Sequence, residues 1–278
     1  MTKRELIMER ALELFAENGF EATSVQQITE RCGISKGAFY LYFKSKDELI
    51  LSIIERFMSG FIADLEHTVT FSQNKGNLLY DFLLVTFTKF REQADFAKIF
   101  LKEQVFSFSE ELIHTLKFYQ SAFCRLLFSV IQKRYAHLKP DMQLELFFTM
   151  NGLIKSYAEL IFFEQYPAEL ERICRAMVEK ADIMAKHASI ASLSEEYFQT
   201  VHIKPEIDKE TVAALLEDVA RENEEDPLVR ESAELLLKDL ENPKFTEAIT
   251  AGLLNNISNT RSGKWAAYMY RQFLQQKK

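Results

Sequence analysis

Along most of the chain apolar residues recur every three or four positions, with polar residues between them. That period of about 3.6 marks amphipathic helices, and no run alternates strictly enough to read as a strand. Residues 2–17 place Leu6, Ile7, Ala11, Leu14 and Phe15 on one face, with Thr2 positioned as N-cap and Gly19 as stop. A second helix starts at Ser24 and turns Val25, Ile28 and Cys32 inward before Gly33 breaks it. Ser35 caps a short third helix from Lys36 to about Phe43. Ser45 then starts a fourth, with Asp47 and Glu48 in its first turn, where the helix dipole favours negative charge. Longer helical patterns follow, two of them joined at Pro167, and beyond residue 188 amphipathic stretches are separated by Pro227, Pro243 and Gly263. With 8 Gly and 5 Pro in 278 residues, the chain reads as all-α.

The stretch CGISKGAFYLYFKSKDEL, residues 32–49, departs from this pattern because its aromatic residues sit side by side instead of on one face. A short helix, a tight glycine turn and another short helix within a three-helix unit spell a helix-turn-helix. Phe39 and Phe43, four apart, face the same way and join Ile34 and Leu49 in a small core. Lys36, Gly37, Tyr40 and Leu41 are left on or near the outside. A helical glycine costs about 1 kcal/mol relative to alanine, so Gly37 makes sense where a partner's backbone comes close. Lysine at the helix start, a missing side chain beside it and tyrosines farther on suit the DNA major groove.

Net charge is −7, which argues against a generally basic nucleic-acid binder but not against a small basic patch. Residues 1–50 hold 7 Lys and Arg against 8 Asp and Glu, with Lys36, Lys44 and Lys46 clustered and Glu5, Glu9, Glu13 and Glu17 on the first helix. Modest numbers of phosphate contacts and clear salt sensitivity are expected. Cys32, Cys124 and Cys174 are odd in number and far apart, the pattern of free thiols. The charged opening MTKRELIMER has no signal-peptide character, and no apolar run approaches the ~20 residues of a membrane span, so a cytoplasmic location is expected.

The segment ALELFAENGFEATSVQQITERCGISKGAFYLYFKSKDELI resembles the DNA-binding domain of the TetR family of transcriptional regulators. The motifs FAENGF-x-x-TS, I-x-x-x-CGISKG and FYLYFKSKDEL carry the likeness, from about Ile7 to Ile50. The resemblance implies that the third helix enters the major groove of a double-stranded operator. Lys36 then meets guanine O6 or N7, or a phosphate. Gly37 and Ala38 allow close approach and contact with a thymine methyl, and Leu41 lies at the same surface. Tyr40 and Tyr42 bond phosphates or stack on sugars, Lys46 meets the backbone, and Ser24, Thr23 and the Ser35 cap complete the set.

From Phe57 to Tyr166 the composition shifts, and this stretch holds 17 of the 24 Phe. Such a bundle makes a large core and also suits an apolar cavity. The resemblance implies a small hydrophobic or aromatic effector there, or a cationic one if Glu103, Glu145 or Glu159 faces inward. It also implies a homodimer through the last two helices of the body, with Leu153, Tyr157, Leu160 and Ile161 on one and Ile173, Met177 and Met184 on the other. Gly152 would permit close crossing. The expected organisation is a DNA-binding domain at 1–50, an effector and dimerisation domain at 51–187, and a helical extension at 188–278. The extension is acidic, with 16 Asp and Glu against 11 Lys and Arg over residues 195–278, and suits a brace, a larger dimer interface or a protein-docking element. The leading expectation is a ligand-released repressor. The alternative is a DNA-binding interaction protein whose extension docks a protein partner. No G-x-S-x-G, phosphate-cradling glycine loop or metal-ligand spacing is present, so neither catalysis nor a cofactor or metal is expected.

Overall fold

The computed structural model of the chain describes residues 2–72, 77–94, 110–162, 169–194 and 207–276. Every regular element among them is helical. The chain divides into two compact units, one built from Met1–Met58 and Asn74–His202, the other from Ser59–Gln73 and Ile203–Lys278. The fourth helix passes from the first unit into the second, so its two halves belong to different cores.

The first unit begins with a head of three helices, α1 (Lys3–Asn18), α2 (Val25–Cys32) and α3 (Lys36–Tyr40), followed by the first half of α4 (Lys46–Phe71). Each start is fixed by a side chain that satisfies otherwise unpaired N–H groups. The Thr2 and Ser24 hydroxyls accept from the N–H of Glu5 and Gln27, whose side chains accept in return from the Thr2 and Ser24 N–H. Ser35 accepts from the Ala38 N–H, and Ser45 from that of Glu48. Helix α1 ends at Gly19, while Gly33 takes the left-handed conformation (φ 65°) that a side chain disfavours. Ile7, Met8, Ala11, Leu14, Phe15, Phe20, Ile28, Phe39, Phe43, Leu49 and Ile50 fill the core. Helix α3 ends at Tyr40, one turn before the expected Phe43, yet Phe43 still enters the core from the following turn through its N–H bond to the Phe39 carbonyl. Val25 and Cys32 stay half-buried, and Thr29 takes part of the inward face.

Helices α5 (Leu78–Glu92), α6 (Glu110–Arg134), α7 (Pro140–Phe162) and α8 (Leu170–His187) form the rest of this unit. Helix α5 packs on α6, α7 and α8, and α7 on its neighbours α6 and α8. Arg134 grips Asp182 with one guanidinium nitrogen 3.0 Å from each carboxylate oxygen, and the Tyr135 hydroxyl donates to the same carboxylate at 2.6 Å. Burial raises the Cys124 thiol to about 11 and the Cys174 thiol to about 12, so both remain protonated at neutral pH.

The second unit contains α9 (Lys209–Glu222), α10 (Pro227–Glu241), α11 (Glu247–Ile257) and α12 (Arg261–Gln276) besides the second half of α4. Helix α9 packs on α10 and α12, and α11 on the same two. Its core holds Val212, Leu216, Val219, Ala233, Leu236, Ile257, Ala266 and Ala267, with Tyr268 and Tyr270 almost wholly enclosed. Buried Asp239 ends the α10–α11 connection by accepting from the N–H of Lys244 and Phe245 at 2.6 and 2.8 Å. Phe61, Ile62, Ala63, Leu65 and Val69 of α4 are likewise buried. Lys264 meets Asp64 at 2.6 Å, and Arg271 donates to both oxygens of Glu66 at 2.8 and 2.7 Å.

His67, its ring centroid 4.6 Å from that of Phe71 and the rings tilted by 40°, lies among these charges. Burial lowers its pKa, Lys264 and Arg271 lower it further, and Glu66 and Asp64 oppose them. The unfolded chain therefore takes up this proton at higher pH than the folded chain. Stability contributed by neutral His67 is present above the ordinary value of 6.5 and declines as pH falls through it. Melting the wild type and His67→Gln at about pH 7.5 and about pH 5.5 should show a smaller loss on acidification in the variant.

Candidate nucleic-acid interface

The turn between α2 and α3 leaves a compact set of side chains outside the head core. Leu41 is 83% exposed and Tyr40 52%, with Tyr42 beside them also exposed, while the flanking Phe39 and Phe43 are buried. Phe39 holds this arrangement from below, with ring centroids 5.4 Å from Tyr40 and 5.9 Å from Phe43, and Arg4 lies over the Phe43 ring at 4.9 Å. Three consecutive large side chains are thus left at the surface, Leu41 the most fully.

Lys36, Gly37, Ser24, Ser35, Gln26 and Gln27 are exposed and Ala38 is half-buried. A Cβ at Gly37 would meet only the Ser35 Oγ, at 3.8 Å, and the glycine does not have a positive φ. Nothing inside the protein therefore demands glycine there. Several head acids are held in pairs: Glu13 and Glu17 with Arg31, Glu13 also with Arg10, and Glu5 with Arg56. Lys36 and Lys44 form no ion pair with any described residue, and their charge is available to an outside group.

Two expected contact residues are used internally. Thr23 is 1% exposed, and its hydroxyl donates to the carbonyls of Gly19 (2.8 Å) and Leu14 (3.3 Å). No hydroxyl is offered outward at that position, because the turn after α1 needs it. Lys46 Nζ donates to the carbonyls of Phe20 (2.8 Å) and Thr23 (3.1 Å) and lies 4.2 Å from the Phe20 ring centroid. It locks the start of α4 to the α1–α2 turn. Spacing alone did not distinguish an inward from an outward lysine, since the carbonyls it reaches lie 23 to 26 residues away.

In the body, the described aromatics pack against one another: Phe82 with Phe123 at 5.6 Å, Phe128 with Phe147 at 5.7 Å and Phe57 with Phe90 at 6.2 Å. Part of the expected effector region, including Glu103 and Tyr166, lies outside the described residues. Glu145 accepts from the Ser192 backbone and hydroxyl, and Glu159 is exposed. A cleft of about 550 Å³ is lined by Asn77 and Tyr80 of α5, Arg134 of α6, and Arg175, Glu179, Asp182, Ile183 and Lys186 of α8. Its walls mix these charged side chains with Tyr80, Val178 and Ile183.

Of the residues expected at a dimer interface, Leu153, Tyr157, Leu160, Ile161 and Met184 are half-buried in the single chain. Ile173 and Met177 belong to its core, Met177 with no exposed surface, so these two lie on the inward stripe of α8. The apolar residues presented outward are Phe148, 60% exposed and one turn from exposed Gly152, and Ile183, 54% exposed.

Residues 7–53 match the family model described as bacterial regulatory proteins of the tetR family. The chain is 26% identical over 271 residues to the HTH-type transcriptional regulator YuxN of Bacillus subtilis (strain 168), covering 94% of this chain and 93% of that protein. A TetR/AcrR-family transcriptional regulator from Aquifex aeolicus VF5 is 28% identical with a TM-score of 0.52, over 66% of this chain and 99% of that one. The regulator FadR of Bacillus subtilis, solved with stearoyl-CoA, has the same fold at a TM-score of 0.55 and 19% identity, over 64% of this chain and 96% of its own. The solved neighbours thus leave about a third of the chain uncovered, whereas the likeness to YuxN runs nearly end to end.

The internal role of Lys46 is measurable without DNA. Lys46→Met should lower stability toward urea by roughly 1.5–3 kcal/mol, the usual range for hydrogen bonds made by a charged donor. An unchanged midpoint would mean that these bonds contribute nothing to the free head.

Proposed function

The chain belongs to the TetR family of transcriptional regulators, and from that premise we propose that it is a repressor that binds a palindromic operator as a homodimer and releases it on binding a small hydrophobic effector. The observation that carries the DNA-binding part is the outward display of Lys36, Gly37, Tyr40, Leu41 and Tyr42 on a helix-turn-helix. Lys36 meets a guanine edge or phosphate, Gly37 and Ala38 admit the DNA closely, and Leu41 makes apolar contact with a thymine methyl or sugar. Tyr40, Tyr42 and Lys44 hold phosphates and sugars, and Ser24 and Ser35 offer hydroxyls at the starts of α2 and α3. Lys46 and Thr23 position this surface from within.

Dimerisation follows from reading a palindrome with two copies of one head. The faces of α7 and α8 that carry Phe148, Gly152 and Ile183, flanked by half-buried Leu153, Tyr157, Leu160, Ile161 and Met184, supply the surface for a second copy. The aromatic richness of residues 57–166 supports an apolar or acyl-chain effector, in line with the stearoyl-CoA held by the FadR of the same fold. An effector that binds the DNA-incompetent form more tightly shifts the population away from the operator.

Operator fragments selected from a random DNA pool test the reading. Lys36→Ala combined with Tyr40→Ala should abolish selection, and Lys44→Ala should lower the salt slope of binding by about one per head on any sequence. Gly37→Ala separates recognition from folding: it should raise stability by roughly 1 kcal/mol while weakening operator binding. Retained affinity in Gly37→Ala would remove the close approach from the account. Phe148→Glu together with Ile183→Glu should yield a monomer by light scattering and lose operator affinity; a dimer that persists would place the interface elsewhere.

A further inference from the structure

The cleft of about 550 Å³ lies wholly within the first unit, between the start of α5, the end of α6 and α8. On α8 its lining residues Arg175, Glu179, Asp182 and Lys186 follow one another by four, three and four positions, the spacing of a single helix face. At a rise of about 1.5 Å per residue, Lys186 stands about 6 Å beyond Asp182 along the helix, and Arg175 about 10 Å before it.

Asp182 does not meet the cleft as a free acid. Arg134 Nη2 donates to both of its oxygens at 3.0 Å, and the Tyr135 hydroxyl donates to one of them at 2.6 Å. Tyr135 in turn accepts from Arg134 Nε at 3.1 Å. These bonds fix the guanidinium in place, with the side chain 16% exposed, and leave Nη1 without a hydrogen-bond partner among the described residues. A guanidinium held in advance avoids much of the ordering cost that a loose surface arginine meets on binding.

Arg175 and Lys186 form no ion pair with any described residue, and neither does Glu179, although it lies one turn from Arg175. With Asp182 already matched by Arg134, the walls hold two uncommitted cations and the Arg134 Nη1 donor against one carboxylate. Asn77, Tyr80 and His187 line the remainder and can donate further hydrogen bonds. Donors arriving from two helices suit a phosphoryl group, which presents three peripheral oxygens and up to two charges. A carboxylate is filled by a single arginine, as Asp182 is here. The cleft is also far larger than one inorganic ion and falls within the ~300–1,000 Å³ of small-molecule sites. Tyr80 and Val178 give an organic body apolar contact, while Ile183, assigned above to the surface for a second copy, supplies no polar group.

We propose that this cleft binds a small phosphate monoester. Arg134 Nη1 and Lys186 take the phosphoryl oxygens, and Arg175 closes toward them from the other end of the face. The ring of Tyr80 and the Val178 side chain cover the organic part. The body then carries a polar ligand site on α5, α6 and α8, distinct in chemistry from an apolar effector pocket. Its occupancy is independent of the DNA-binding reading above, and its test uses no DNA.

Full-length protein is titrated by calorimetry with phenyl phosphate, inorganic phosphate and benzoate. Phenyl phosphate should bind saturably, one per chain, with a Kd below about 1 mM, more tightly than inorganic phosphate and at least about tenfold more tightly than benzoate. Lys186→Ala and Arg134→Lys should each weaken phenyl phosphate about ten- to a hundredfold, the loss of one charge-assisted hydrogen bond. Arg175→Ala should weaken it less, and Glu179→Gln should tighten it severalfold by removing a like charge. Should Arg134→Lys unfold the chain, Lys186→Ala at an exposed position carries the same comparison.

The absence of saturable binding by phenyl phosphate would overturn the inference. Equal affinity for benzoate would overturn the assignment to a phosphoryl group, because any anion would then serve. Wild-type affinity in Lys186→Ala would place the anion elsewhere on the protein, the head cations included, and would refute the site. Weaker binding in Glu179→Gln would count against it too, since that carboxylate would be supporting the ligand instead of repelling it.

Discussion

One continuous helix with two allegiances governs this protein. The start of α4 completes the head, where Leu49 and Ile50 close the core beneath Phe39 and Phe43. Its end supplies Phe61, Ile62, Leu65 and Val69 to a core otherwise made from the last seventy residues. The helix cannot satisfy both with a single apolar stripe, and its buried positions accordingly spread round the circumference where Phe61, Ile62 and Ala63 succeed one another. Charge settles the register at the far end. Asp64 and Glu66 meet Lys264 and Arg271 at fixed positions, which apolar contact alone, being non-directional, would leave less sharply defined.

The head follows a different economy. It is too small for a deep core, so each helix start is pinned locally by a hydroxyl: Thr2, Ser24, Ser35 and Ser45 in turn. Lys46 adds a long-range tie by spending its three donors on carbonyls of the α1–α2 turn while its charge rests against Phe20. With the frame secured from within, Tyr40, Leu41 and Tyr42 need not contribute to it. Their exposure is what distinguishes a recognition surface from an ordinary small bundle, where large apolar side chains would be drawn inside.

The features legible in the sequence were those decided by neighbours along the chain. Caps at Thr2, Ser24, Ser35 and Ser45, the stops at Gly19 and Gly33, and the inward pair Phe39 and Phe43 all depend on residues within about one turn. Where the deciding partner lay farther off, the pattern misled. Thr23 and Lys46 carry groups that suit phosphate as well as they suit a carbonyl, and only the fold brings Gly19 and Phe20 within reach. On α8, Ile173 and Met177 were indistinguishable by hydrophobicity from an interface stripe, because an amphipathic helix does not state which neighbour its apolar face will cover. The pairs Asp64–Lys264 and Glu66–Arg271 could not have been read at all, since surface-type charges two hundred residues apart leave no periodic trace.

Read as sequence, the acidic residues beyond 188 look like an addition to a finished protein, and their net charge suggests a surface for some other molecule. In the structure, part of it packs within the chain's own core. The two cations that matter are on α12 and the two anions they hold are on α4, so the extension's contribution is local and basic although its balance is acidic. Without α12, Glu66 would remain as a carboxylate with only Thr70 beside it, and the buried face from Phe61 to Val69 would lose the core it belongs to. Removing one partner of a shielded pair costs more than the pair contributes when intact, because the survivor keeps its desolvation penalty. The far half of α4 and α12 therefore require each other within one core.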